Sequence, residues 1–171
     1  MIKTERLILR DWQMHDLDSL LKYGNNFNIA KNMRNRFPHP YTIEAGTVFI
    51  KLFEKEDPQK VFAIEYEGEA IGAIGVFQQE DVYIKNAELG YWIGEPFWNK
   101  GLATEAVKAM INYGFKAFEI ERIYAAVFNY NDASKKVIEK AGFTIEAKLH
   151  NTIFKNGEFC DELIYSIWKK K

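Results

Sequence analysis

Residues 99–105 read Asn-Lys-Gly-Leu-Ala-Thr-Glu and follow a β-rich apolar run, Ala87–Ile93, that breaks at Pro96. Gly101 has no side chain to block a close approach, and Ala103 has only a methyl. If a helix starts at about Gly101, its first amides have no acceptor inside the helix and point outward as donors. The helix dipole adds partial positive charge at the same place. The chemistry this pattern suits is retention of a polyphosphate by backbone donors. The plainer alternative is a strand-to-helix turn that needs a glycine for geometry alone.

Spacing rules out two common phosphate motifs. In a Walker A loop the lysine follows the second glycine and precedes Ser or Thr, whereas here Lys100 precedes Gly101. Gly90, Gly94 and Gly101 are too widely spaced for a dinucleotide fingerprint. A second strand–turn–helix unit follows. Arg122–Phe128 is β-rich, Asn129-Tyr130-Asn131-Asp132 is a turn and cap cluster, and Val137, Ile138 and Ala141 recur at helical spacing before Gly142. With the two strands side by side, both helix starts would face one cleft, long enough for a ligand with an arm and a phosphate end.

The pair Asn99-Lys100-Gly101-Leu102-Ala103-Thr104 and Asn131-Asp132-Ala133-Ser134, closing in Glu139-Lys140-Ala141-Gly142-Phe143, resembles the GNAT acetyltransferase superfamily. With the opening Thr4–Arg10, the strand Ala87–Ile93, and the closing run around Asn156-Gly157 and Tyr165, it is similar to the RimJ/RimL branch of ribosomal-protein N-terminal acetyltransferases. The resemblance implies acetyl-CoA as co-substrate. It also implies cofactor contacts at Asn99, Lys100, Gly101, Leu102, Ala103, Thr104, Asn131 and Ser134, and backbone contacts at Tyr91, Trp92 and Ile93. Ser134 would lie near the thioester sulfur as a hydrogen-bond partner for the leaving thiolate; the competing reading is a first-turn serine satisfying backbone amides.

Several family side chains are missing. A tyrosine seven residues after the asparagine is here Ile138, a glutamate five before it is Ala126, and a glutamate ten beyond Phe143 is Ile153. Glu88 is the remaining candidate base, sharing a strand face with Gly90 and Trp92 and reaching the amine through a water. Its plain alternative is a strand carboxylate paired with a surface base. The attacking amine must be neutral; a protein α-amino group, with a reference pKa of about 7.7–8.0, needs less help than a lysine at about 10.4. The oxyanion also needs donors in place. Trp98 departs from the Gln or Arg common at its position, which removes a side-chain phosphate contact and leaves the amides.

The elements that must position these residues follow from periodicity. We expect strands at Leu7–Trp12, Val61–Tyr66, Ala70–Phe77, Ala87–Ile93, Arg122–Phe128, Phe143–Phe154 and Phe159–Trp168. Helices are expected at Asp16–Tyr23, after the cap Thr42 to about Lys55, after Gly101, and at Ser134–Ala141, with 24–41 loop-rich. The resemblance implies an α/β (α+β) class chain: one GNAT-like domain over residues 1–171, with a mixed, mostly antiparallel seven-stranded sheet flanked by about four helices. At 171 residues and 47% hydrophobic content it can bury a core. A net charge of −1 gives no case for nucleic acid, and no apolar run suits a membrane. Cys160 stands alone, so an internal disulfide is excluded and a cytoplasmic setting is expected. His15, His39 and His150 lack metal-ligand spacing, so no metal is expected. The partner expected is an amine acceptor, a protein N-terminus or a small amine, with a homodimer left open. The expected function is N-acetylation by direct attack in a ternary complex; the alternative is a non-catalytic acyl-CoA-binding or sensor module.

Overall fold

Residues 1–170 are described by a computed structural model. Its elements are β1 (Ile2–Lys3), β2 (Ile8–Arg10), α1 (Leu17–Gly24), α2 (Phe27–Ala30), α3 (Ile43–Phe53), β3 (Val61–Tyr66), β4 (Glu69–Gln78), β5 (Asn86–Ile93), α4 (Leu102–Ala117), β6 (Arg122–Phe128), α5 (Asp132–Lys140), β7 (Thr144–Lys155) and β8 (Glu158–Trp168). The strands form one sheet in the order β1-β2-β3-β4-β5-β6-β8-β7. Among the described residues the sheet thus has eight strands and there are five α-helices, against the seven and about four expected. The additional strand, β1, is two residues long, too short to carry a period, and exists because Ile2 and Lys3 find Leu9 and Ile8 across the edge. The additional helix, α2, is one turn inside the loop-rich stretch, capped by Asn26, whose side chain accepts the Asn28 amide at 2.7 Å.

All neighbouring strands are antiparallel except β5 and β6, which run parallel because α4 crosses over between them. α4 buries Leu102, Ala106, Val107, Met110, Ile111 and Gly114. A Cβ at Gly114 would lie 3.1 Å from Ile123 and 3.5 Å from Val76, so this helix covers the face bearing Val76, Leu89 and Ile123. α1 and α3 pack together, with Gly46 set against Leu17 and Leu21. On the face opposite α4, Trp92 meets Phe37 edge-on and lies against the end of α1 at Gly24.

The parallel pair is short. β5 and β6 hold register only over Asn86↔Arg122, Ala87↔Ile123 and Glu88↔Tyr124. Beyond that point β5 stays paired with β4 as far as Ile93, and β6 stays paired with β8 as far as Phe128. The sheet therefore splits into two diverging halves, with a cleft between Leu89–Ile93 on one side and Ala125–Phe128 on the other. The split is held from the β4 side by close approach: a Cβ at Gly72 would sit 2.3 Å from the Trp92 carbonyl oxygen.

Candidate active site

The β5 edge supplies the first wall of the cleft. Gly94 donates its amide to Ile71 of β4, and the Asn86 carbonyl accepts from Gln79, with one unbroken register between them. Even-numbered residues of β5 therefore spend their backbone groups on β4. Leu89, Tyr91 and Ile93 turn theirs toward the cleft. Of the three backbone contacts expected, Tyr91 and Ile93 face the cleft, whereas the backbone of Trp92 faces β4 because it is an even member of that ladder. The Ile93 carbonyl is already taken by the Trp98 indole N–H at 2.8 Å. That bond gives Trp98 a purpose: it ties the turn after β5 back onto the strand end.

The turn itself is built by two left-handed residues, Asn99 at φ 61° and Gly101 at φ 78°. Gly101 is the cap of α4, and Glu105 is the first residue whose amide returns to it, at 3.1 Å. Among the described residues no acceptor meets the amides of Asn99, Lys100, Gly101, Leu102, Ala103 or Thr104. Six consecutive donors at a helix N-terminus suit a polyphosphate. The loop is clamped from outside by Arg6, which donates to the Lys100 carbonyl at 2.9 Å and to Glu105 Oε2 at 2.8 Å through Nε. Thr4 Oγ1 and the Arg6 amide both donate to Glu105 Oε1, at 2.6 and 2.8 Å. Burial would raise the Glu105 pKa, but these donors outweigh it and hold the carboxylate below its usual range. The opening Thr4–Arg10 was legible as a family signature, yet this brace was not, because its partners are about a hundred residues apart.

The second wall begins at α5. Asn131 caps it, accepting the Ser134 amide on Oδ1 at 3.1 Å. The Ser134 hydroxyl lies 3.0 Å from the Tyr91 phenol, so a side-chain bridge crosses from β5 to the start of α5. Burial pushes the Tyr91 pKa up to about 12, with the Ser134 bond working against it, so this phenol keeps its proton through the neutral range. Sequence reasoning gave Tyr91 a backbone role and missed its side chain. The alternation that sends Tyr91 to the α4 side of the sheet was the available signal. Asn129, at the end of β6, buries an Oδ1 that has no partner among the described residues. The amide row and this orphaned acceptor fit a cofactor with a pyrophosphate and an amide-bearing arm.

The opposite face of the split is different in kind. Glu88 shares it with Gly90 and Trp92, as alternation predicts, and nothing lies within 4 Å of where a Gly90 Cβ would be. Arg34 meets Glu88 with both terminal guanidinium nitrogens, Nη1 at 3.1 Å and Nη2 closer still. Both carboxylate oxygens are therefore engaged by a cation. The segment carrying Arg34 is strapped across this face: Tyr130 donates to the Lys31 carbonyl at 2.7 Å, and Lys155 to Asn35 Oδ1 at 2.8 Å. Tyr124 and Glu162 complete the group, each close enough to feel the charges of Arg34 and Glu88. No three His, Cys, Asp or Glu among the described residues are grouped to hold a metal, and no helix among them is long and apolar enough to cross a membrane.

Comparison with known proteins agrees with this geometry. The model of the acetyltransferase (GNAT) domain matches residues 6–144. An uncharacterized N-acetyltransferase of Bacillus subtilis, YoaA, is 30% identical over 99% of this chain and 97% of its own. Spermidine N(1)-acetyltransferase of Escherichia coli is 29% identical over 88% of this chain and 80% of its own. A solved GNAT-family acetyltransferase from Bacillus anthracis superposes with a TM-score of 0.84 at 27% identity, covering 98% of this chain and 97% of that one. The chain belongs to the GNAT family of acetyltransferases, enzymes that transfer an acetyl group from acetyl-CoA.

Proposed function

We propose that this protein N-acetylates a primary amine, on a protein N-terminus or a small molecule, by direct attack within a ternary complex in the cytoplasm. The carrying observation is the split between β5 and β6, which opens onto a row of free amides on one side and a Glu88/Arg34-bearing face on the other. When bound, acetyl-CoA supplies an activated thioester. The amides of Asn99–Thr104 would hold its pyrophosphate, and the cleft-facing groups of Tyr91 and Ile93, with Asn131 and Asn129 beyond, would hold its arm. The Tyr91 amide, fixed before the reaction, is placed to donate to the carbonyl oxygen where negative charge develops. Ser134 and Tyr91 form a linked pair of hydroxyls that would supply a proton to the departing sulfur, in place of the tyrosine that Ile138 replaces. On the other face Glu88 stands beside the amine's path with Arg34 on both of its oxygens, and this pair would shape the face that the amine approaches.

The similarity to a spermidine acetyltransferase supports a small polyamine as acceptor, and the RimJ/RimL-like motifs support a protein N-terminus. The test is calorimetric titration with acetyl-CoA, followed by release of CoA thiol with N-terminal peptides, polyamines, amino acids and aminoglycosides. Binding with turnover on one of these classes supports the reading. Binding without turnover on any of them would favour the acyl-CoA sensor instead.

A further inference from the structure

Two carboxylates face the acceptor side of the split, and only one of them is paired. β6 and β8 hold a single unbroken register, with Tyr124 opposite Ser166, Ala126 opposite Ile164 and Phe128 opposite Glu162. Tyr124 is also the register partner of Glu88 on β5. Glu162 therefore projects from the same face as Glu88, Gly90 and Tyr124, at the end of β6 where the cleft is widest. Arg34 occupies both oxygens of Glu88. Among the described residues Glu162 has neither an ion-pair partner nor a side-chain hydrogen bond, although it is only partly exposed. Its oxygens are not among the buried atoms left without a partner, so this half-buried carboxylate is open to an arriving cation.

We propose that Glu162 receives the acceptor's ammonium group and takes its proton. The inference rests on the acetyltransferase reading above and identifies the residue that makes the amine competent. In the step, an ammonium N–H proton moves to a Glu162 carboxylate oxygen. The bonding pair stays on nitrogen as the lone pair that attacks, and Glu162 later returns the proton to solvent. Arg34 is needed where it is: by neutralising Glu88 it leaves one carboxylate, not two, for one cation. The charged and titratable groups facing Glu162 are Arg34 from the strap, Glu88 from β5, Tyr124 from β6, and Cys160 two residues back on β8. From β7 the residue opposite is Leu149, which carries no charge. Burial raises the pKa of Glu162, Arg34 works against that, and Glu88 adds a further push upward. A carboxylate raised in this way is better matched to an ammonium than an ordinary glutamate.

The experiment compares wild type with Glu162→Gln, Glu162→Asp and Glu88→Gln across pH, using the acceptor that supports turnover. Glu162→Gln should lower kcat/KM for the amine by about a hundredfold, the low end of what a positioned base supplies. It should also abolish the acidic limb of the pH profile while the acetyl-CoA Kd stays at the wild-type value. Glu162→Asp should restore part of the rate, and Glu88→Gln should keep the acidic limb. In carboxyl-labelled wild-type protein, without acetyl-CoA, the Glu162 resonance should titrate above the ordinary glutamate range and move when the amine is added. A Glu162→Gln enzyme with wild-type kcat/KM and an unmoved limb, or a Glu162 resonance indifferent to the amine, overturns the proposal and leaves the acetyltransferase reading intact. A wild-type chain that turns over no amine overturns both.

Discussion

The two sides of the split in the sheet are built by different means. The proposed cofactor side is made of backbone: six amides at the start of α4, the cleft-facing groups of β5, and the cap of α5. The proposed acceptor side is made of side chains, Arg34, Glu88, Tyr124 and Glu162, brought from a strap and three strands. A backbone cradle depends on φ, ψ and the absence of side chains, so it can stay fixed while the surrounding sequence changes. A side-chain face can be rewritten residue by residue without disturbing the cradle. On the proposed reading the molecule separates a donor site built of backbone from an acceptor site built of side chains.

That contrast can be broken in ordered steps. Gly72→Ala should have the largest effect, because its Cβ would meet the Trp92 carbonyl oxygen at 2.3 Å and push β5 off its ladder. Overpacking of this kind costs about 3 kcal/mol, and thermal melting with acetyl-CoA titration should show both stability and binding falling together. Tyr91→Phe removes one hydroxyl of the bridge and should lower kcat about tenfold, less than the roughly hundredfold low end of acid catalysis because the Ser134 hydroxyl remains, with the acetyl-CoA Kd unchanged. The Tyr91 pKa is raised to about 12, so the protonated, donating form persists until pH approaches that value. The rate should accordingly show no loss near pH 10 attributable to this group, and a basic limb there that vanishes in Tyr91→Phe would contradict the assignment.

Smaller effects separate the two sides. Arg34→Ala should change the amine KM by about fivefold, the scale of a partly exposed ion pair near 1 kcal/mol, and leave acetyl-CoA affinity alone. Arg6→Ala should do the reverse. It loosens the clamp on Lys100 and Glu105 and should weaken acetyl-CoA by about threefold, with the amine KM unchanged. Steady-state kinetics with each substrate varied in turn reads both. Either variant acting on the other side's constant would show that the two sites are not separable.

The cradle was legible in the sequence because its signals are local. Gly101, Asn131 and Thr42 announce helix starts by residue type, and the structure puts caps at all three. The strand and helix spans followed from periods of two and 3.6. What could not be read was non-local partnership. Arg34 meets Glu88 across 54 residues, and Tyr91 meets Ser134 across 43, through a sheet whose order no local pattern encodes. Ile138, Ala126 and Ile153 marked where familiar catalytic side chains are missing, but no local pattern placed Tyr91 beside Ser134 or Glu162 on the face of Glu88. β1 and α2 escaped because two residues and a single turn are shorter than any periodicity.

The central claim, that acetyl-CoA is held by backbone donors independent of the acceptor face, is tested most directly by calorimetric titration of acetyl-CoA into wild type, Gly101→Val and Arg34→Ala. At φ 78° a residue other than glycine is strained by about 1–2 kcal/mol, more when β-branched. Val at this position should therefore distort the amide row and weaken binding at least about tenfold, while Arg34→Ala binds as wild type does. Wild-type affinity in Gly101→Val, or a comparable loss in Arg34→Ala, would contradict it.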